Sequence, residues 1–413
     1  MNIKRFALLS SVVGLVPLLA ASTAFAQASP PAPVISQPPG AIAPAPGPAP
    51  VASAPDAATP PPAEPEPLMW RGTSFTWTQG VTTTTVGIGR DNYGYEDDYY
   101  GWDFTFSPNL FVLDLPEDKI TVFADVGVSV EWTDSGSTTT ENEPQFRDMQ
   151  VGAGYTRSIW KSEDKEWSTG LGTRVRYNIP TSNASLGQGR YGVLSLGTSL
   201  TQKLRLLGNE AKGLNNLTVV GGFTWSHLFA RSYTPTNPDL ERTRQSASGA
   251  TIFSDQLSFR SMDIDRLIPS VTFVLPLIGD LSLTTGFRLI GRFRHDFEGN
   301  DCEIVVAGEC QQADRLEDRA TYFTDSSFDL ALTQPIYDFV SLNLGYNNES
   351  LTLGEDGKNR NVFYSPGAQF YLDLTANLDV IYAKASGREE VALPPGPRNN
   401  SVTALNEFGQ PSF

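Results

Sequence analysis

The sequence predicts an all-β fold: a transmembrane antiparallel up-and-down β-barrel of about fourteen strands, with twelve as the alternative. Apolar and polar residues alternate in segments of about ten residues, the connections between these segments are alternately short and long, and the chain begins with an export signal. After that signal, no stretch approaches the roughly 20 consecutive apolar residues that a membrane-spanning helix needs. The composition therefore excludes a helical membrane protein.

Alternation is clearest at residues 120–132, ITVFADVGVSVEW. Successive side chains of a β-strand point to opposite faces, so this segment has one apolar face and one polar face. The segment VSLNLGYN at 340–347 repeats the pattern, with Val, Leu, Leu and Tyr on one face and Ser, Asn, Gly and Asn on the other. In a barrel of this size we expect the apolar face to contact lipid and the polar face to line the lumen.

The lengths of the connections are an independent indication of a barrel. Short connections lie near residues 116, 163, 278, 337 and 376, whereas long polar ones occupy 90–101, 133–145, 231–265 and 298–318. Membrane-spanning barrels carry short turns at one rim and long loops at the other. The count of fourteen takes LDVIYAKA (378–385) and the C-terminal segment as the last two strands. If the chain after Ser386 lies outside the barrel, twelve strands are expected.

The N-terminal segment, residues 1–26, has the pattern of a secretory signal peptide. Lys4 and Arg5 precede an apolar run, and Ala24-Phe25-Ala26 provides the small-residue cleavage pattern. Removal of this segment leaves 28 basic residues against 46 acidic ones, a net charge of −18. Such an acidic protein is not expected to bind nucleic acid.

Residues 27–68 form a Pro/Ala-rich segment that contains 15 of the 30 prolines and no basic residue. A segment of this composition cannot bury enough apolar surface to fold, so we expect a disordered periplasmic linker. Two interpretations remain open: a simple spacer, or a tether to a periplasmic partner. The barrel is expected to occupy residues 69–413.

With these features the sequence resembles the outer-membrane β-barrel proteins of Gram-negative bacteria. Tryptophans near the predicted strand ends and the terminal Phe413 add to the resemblance. The resemblance implies location in the outer membrane, contact with its lipids and lipopolysaccharide, and recognition of Phe413 by the barrel assembly machinery. The terminal segment departs from the pattern at Gly409 and Pro411, because proline removes a hydrogen-bond donor from a strand.

Charged residues on the inner face of the predicted strands are candidates for lining a pore. Alternation places inward a set of arginines and carboxylates, namely Arg174, Arg176, Arg288, Arg292, Arg294, Asp103, Asp125, Glu131, Asp325 and Asp329. The segments that carry Arg288 and Asp325 are neighbours in the predicted order, so these side chains are expected to lie opposite each other. Two interpretations are open: a charged passage for solutes, or an ion-pair network that fills the lumen.

Three loops carry further candidates. The loop 231–265 mixes basic and acidic residues and could form a constriction or remain an external loop. Cys302 and Cys310 are expected to close a short disulfide loop, as cysteine pairs do in exported proteins. The acidic stretch 91–98 lacks the spacing of a calcium loop, so no metal site and no cofactor is expected.

The functional expectation is an outer-membrane channel or passive transporter for small solutes. The alternative is a non-conducting barrel that binds surface partners or organises the envelope. Catalysis is disfavoured because His227 and His295 have aromatic residues, and no serine, two positions away on their own strand faces. These histidines fit an aromatic belt at the membrane interface.

Overall fold

A computed structural model describes most of the chain between residues 68 and 387. The described residues are 68–88, 99–133, 142, 144–162, 167–187, 189–205, 216–230, 236–237, 243–245, 251–253, 256–257, 262–278, 280–295, 304–306, 309–311, 321–352, 360–365 and 367–387.

The strands are β1 (Ser74–Thr82), β2 (Tyr100–Ser107), β3 (Asn109–Asp114), β4 (Asp118–Glu131), β5 (Pro144–Phe146), β6 (Met149–Lys161), β7 (Ser168–Ile179), β8 (Arg190–Arg205), β9 (Asn216–Ala230), β10 (Thr236–Asn237), β11 (Thr243–Gln245), β12 (Thr251–Phe253), β13 (Gln256–Leu257), β14 (Asp263–Pro276), β15 (Ser282–Arg294), β16 (Ile304–Val306), β17 (Glu309–Gln311), β18 (Tyr322–Tyr337), β19 (Val340–Leu351) and β20 (Gln369–Asn377). Two helices are described, α1 (Asn183–Gly187) and α2 (Leu378–Ala385).

Twelve of the described strands form a closed antiparallel barrel. Its order is β1-β2-β4-β6-β7-β8-β9-β14-β15-β18-β19-β20, and β20 pairs with β1 to close it. Closure gives every strand two neighbours, so the backbone N–H and C=O groups of each strand can be paired. This pairing is required inside a membrane, because no water is present there to bond unpaired groups. The fold class is therefore confirmed, with twelve strands in the wall.

Two shorter strands extend this wall without adding to its count. The strand β2 pairs with residues 126–131 of β4, and β3 pairs with residues 119–123. Pro108 lies between β2 and β3. The strands β5 and β6 divide the other edge of β4 in the same way. Each pair behaves as one interrupted strand.

The outer face of the wall is apolar, as the alternation predicts. Phe287, Leu289 and Phe293 of β15 are 39%, 36% and 39% exposed, and Leu344 of β19 is 55% exposed. An exposed apolar band of this extent is unfavourable in water and is favourable against lipid. The opposite parity carries the polar and charged side chains, many of which are buried.

The segment LDVIYAKA is α2 and is not a strand, so this part of the fourteen-strand count is wrong. Val380 and Ala383 are buried on one face of the helix, at a helical spacing that strand parity does not reveal. Asp379 in the first turn accepts a hydrogen bond from the Gly72 backbone N–H (2.8 Å). Gly387 follows with φ of 67°, the left-handed conformation that commonly ends a helix.

The strand that closes the barrel is therefore β20, and the C-terminal segment with Phe413 lies outside the described residues. The described residues also do not include the signal peptide, the linker up to residue 67, the acidic stretch 91–98 or Cys302. Cys310 lies on β17, opposite Val305 of β16. Within the predicted loop 231–265, β10 pairs with β13 and β11 pairs with β12. The predicted end of this loop is wrong, because Asp263 and Asp265 belong to the barrel strand β14.

Neither described helix is long and apolar enough to cross a membrane.

Candidate functional site

Arg292 is the centre of a charged network on the inner face of the barrel. Its guanidinium donates hydrogen bonds to carboxylates on three different strands: Asp325 on β18, Asp263 on β14 (3.3 Å) and Glu349 on β19 (3.1 Å). The strand β19 is two places away from β15 in the wall. Arg292 therefore reaches across β18 and joins four adjacent strands.

Asp263 is the second hub of the network. It accepts hydrogen bonds from Arg266 Nε (2.8 Å), from Arg292 and from Arg294 Nε (3.2 Å). A bulge between Asp263 and Asp265 directs the first carboxylate inward and the second outward, although residues two apart normally share a face.

Arg288 continues the network towards the rim with short turns. It donates to Ser327 Oγ (3.0 Å) and to Asp329 (3.4 Å), and Asp329 accepts a further hydrogen bond from Asn347. Arg288 and Asp329 thus lie across adjacent strands from each other, as the order of the segments predicts.

We call these side chains the Arg292 cluster, defined as Arg266, Arg288, Arg292, Arg294, Asp263, Asp325, Asp329 and Glu349. Four positive groups balance four negative ones. The side chains are only slightly exposed, from 6% for Asp263 to 24% for Asp329. Buried charges of opposite sign stay ionised when they are paired and hydrogen-bonded, and here the pairing is dense.

Sequence analysis missed Asp263, Arg266 and Glu349. The bulge reverses the parity of Asp263 relative to Asp265, and no property of the sequence marks its position. Glu349 follows the inward parity of Asn343 and Asn347, so the same alternation could have identified it.

The remaining predicted carboxylates lie on the other side of β1. Asp103 is 2% exposed and pairs with Arg147 Nη1 at 3.7 Å. Asp125 accepts a hydrogen bond from Ser107 Oγ (2.6 Å), and Glu131 accepts one from Thr133 Oγ1 (3.2 Å). The structure does not bring these groups into the Arg292 cluster.

Arg174 and Arg176 lie on β7 and are half-buried. The Arg174 guanidinium lies 3.8 Å from the ring centroid of Phe123, a cation–π contact. Gly152 makes this contact possible, because a Cβ at that position would overlap the Phe123 ring. Arg176 donates to Gln150 Oε1 (3.4 Å).

A polar chain at the closing seam was not predicted. Asn343 donates to Asp373 Oδ2 (2.9 Å) and accepts from Thr333 Oγ1 (3.0 Å), which links β18, β19 and β20. Asp373 is 1% exposed.

The two histidines lie outside the lumen. His227 Nδ1 bonds to Asp265 Oδ1 at 2.9 Å, and the Trp225 indole N–H donates to the same oxygen at 3.0 Å. The Phe229 ring contacts His227 with a centroid distance of 4.7 Å. Burial, followed by the charge of nearby His227, lowers the pKa of His295 just beyond β15.

Among the described residues, no three His, Cys, Asp or Glu side chains are grouped to hold a metal ion.

Comparison with known proteins gives matches at the level of structure only. No protein-family model matches the chain, and no curated protein matches it by sequence. An outer membrane channel from Pseudomonas putida F1 is similar at 12% identity and a TM-score of 0.41, covering 77% of this chain and 98% of that one. The NanC porin is similar at 8% identity and a TM-score of 0.30, covering 74% and 98%. Outer membrane phospholipase A from Escherichia coli is similar at 11% identity and a TM-score of 0.30, covering 75% and 97%.

A channel, a porin and an enzyme are thus found at comparable levels of similarity, so these matches do not distinguish between functions. The resemblance to outer-membrane β-barrels is confirmed for the fold, because the chain forms a closed barrel with an apolar exterior.

Proposed function

We propose that the protein is an outer-membrane channel or passive transporter for small solutes. One observation carries this proposal: a closed wall of twelve strands has an apolar outer face and a polar, charged inner face. A barrel of this size encloses more space than most side chains fill, and a polar lining favours hydrated solutes.

The same proposal fixes the location and orientation of the barrel. The chain is exported by its signal peptide and inserted into the outer membrane, with the long connections outside the cell and α2 on the periplasmic side. The aromatic belt that contains Trp225 and His227 then lies among the lipids and lipopolysaccharide of the outer leaflet. Recognition of Phe413 by the assembly machinery, a disulfide between Cys302 and Cys310, and a periplasmic partner for the linker belong to this proposal as well.

We assign the lining of the passage to the charged residues of the inner face. Arg174 contacts the Phe123 ring and Arg176 donates to Gln150, whereas Arg288, Arg292 and Arg294 are held by carboxylates. The acidic residues of the lining are Asp103, Asp125, Glu131, Asp325 and Asp329.

A second function is favoured by a different observation. The Arg292 cluster is nearly excluded from solvent, as expected if ion pairs fill the lumen. The protein would then be a non-conducting barrel that binds surface partners or organises the envelope through its acidic loops.

We propose no catalytic activity. Asp265 orients His227 on the outer face, an arrangement that resembles part of a hydrolytic triad. Trp225 and Phe229 pack on both sides of the imidazole, and this packing fits an anchor at the membrane interface.

Conductance across a planar lipid bilayer tests the proposal. Refolded protein without the signal peptide should produce discrete, uniform current steps. Protein that inserts, shown by a heat-dependent shift in gel mobility, yet gives no steps would support the non-conducting barrel.

A further inference from the structure

The Arg292 cluster lies on the inner face of the barrel. Its members extend over four adjacent strands of the wall, β14, β15, β18 and β19, towards the rim with the long loops. The network thus covers four of the twelve strands of the wall.

The arginine side chains of the cluster pack against the wall and against their carboxylate partners. The side chains of Arg266, Arg292 and Arg294 are 9%, 14% and 9% exposed, although they lie on the face that encloses the lumen. Here they extend along the wall and over their neighbours, and each reaches a carboxylate.

The charge balance of the cluster decides which solutes can pass it. A solute with one charge displaces one wall group from its partner and leaves that group buried and unpaired, which is strongly unfavourable. A neutral solute makes only weaker hydrogen bonds to these ionised groups. A solute with both charges can pair with a guanidinium and a carboxylate together, so no wall charge loses all its partners.

We propose that the Arg292 cluster is the selective site of the passage and that it selects small zwitterions, of which amino acids are the simplest class. The solute's carboxylate pairs with Arg292 while its ammonium group pairs with Asp325 or Glu349. Since Arg292 holds three carboxylates on three strands, one can be exchanged while the other two stay bonded. This inference rests on the proposed channel function and names its substrate class.

Swelling of protein-loaded liposomes tests the selectivity with two isomers, glycine and glycolamide. They have the same atoms and similar size, but glycine is a zwitterion and glycolamide is neutral. Glycine should enter about fivefold faster, a rate ratio that corresponds to about 1 kcal/mol. Through an open aqueous pore the two would enter at nearly equal rates.

Variants locate the selectivity. In Arg292→Gln/Asp325→Asn one charge of each sign is removed, so the cluster stays balanced, and the ratio of rates should fall to about one. Arg157→Gln is the control, because Arg157 pairs with the Asp118 carboxylate and lies outside both the cluster and the lining assigned above, and it should keep the wild-type ratio. Arg292→Lys, which preserves the charge and loses the three-way contact, provides a second test and should give a reduced ratio. Heat-dependent gel mobility checks that each variant is folded.

The outcomes separate this inference from the function on which it rests. If neither isomer enters with the wild-type protein, the channel itself is refuted. Equal entry of both isomers leaves the channel intact and overturns the selection of zwitterions. A ratio lost in Arg157→Gln but kept in the double variant overturns the assignment to the Arg292 cluster.

Discussion

Loss of the Arg292 side chain should destabilise the barrel severely. In Arg292→Met, three carboxylates lose a shared cation: Asp263, Asp325 and Glu349, which are 6%, 7% and 20% exposed. Solvent screens these groups little. Removing one partner of a buried ion pair typically costs about 3–5 kcal/mol, because it leaves an uncompensated buried charge. We expect a loss of this size, since Asp263 keeps Arg266 and Arg294 whereas Asp325 and Glu349 lose the guanidinium to which they are bonded.

The assay is equilibrium unfolding in urea of the refolded barrel in lipid vesicles, followed by tryptophan fluorescence. Lys384→Met is the control, because the Lys384–Asp338 pair is 51% and 72% exposed and should contribute little. The double variant Arg292→Gln/Asp325→Asn should lose less stability than Arg292→Met, since it removes the charges in a pair. A loss below about 1 kcal/mol in Arg292→Met would refute the view that this network is buried and tightly coupled.

Three other changes have defined outcomes. Gly345→Ala should destabilise the barrel by about 1–3 kcal/mol in the same assay, because the new Cβ would overlap the Tyr371 ring. The hydrogen bond and charge of Lys384 lower the pKa of Asp338, so their stabilising contribution is present at neutral pH and is lost as pH falls through this depressed pKa. Titration by NMR should show the Asp338 pKa return towards its ordinary value in Lys384→Met. Arg174→Glu should shift the ion selectivity of the channel towards cations, measured as a change in reversal potential.

Each of these has its own control. Gly221→Ala should be tolerated, because a Cβ there meets no atom within 4 Å, and equal losses at the two glycines would contradict the steric explanation. An unchanged pKa of Asp338 would mean that Lys384 does not hold it. Unchanged reversal potential in Arg174→Glu would return that residue to a structural role on Phe123.

Much of the wall could be predicted from the sequence because the rule behind it is local. Alternation along β15 separates Phe287, Leu289 and Phe293 from Arg288 and Arg292 without knowledge of any other strand. The position of Arg288 opposite Asp329 could also be predicted, since consecutive antiparallel strands of a barrel pair in sequence order. The helix α2 was mistaken for a strand because its eight residues include few polar side chains. So short an apolar segment fits both the two-residue period of a strand and the 3.6-residue period of a helix.

The sequence by itself determined the class of fold, the face on which the charged side chains of the regular strands lie, and the apolar character of the other face, because these depend on parity within one strand. The tertiary structure alone decided that twelve strands close with β20 on β1, since pairing is set by contacts between distant segments. It alone showed that Arg292 binds Asp263, Asp325 and Glu349 together. That contact depends on a bulge and on the reach of a long side chain across a neighbouring strand, and neither is encoded in local alternation.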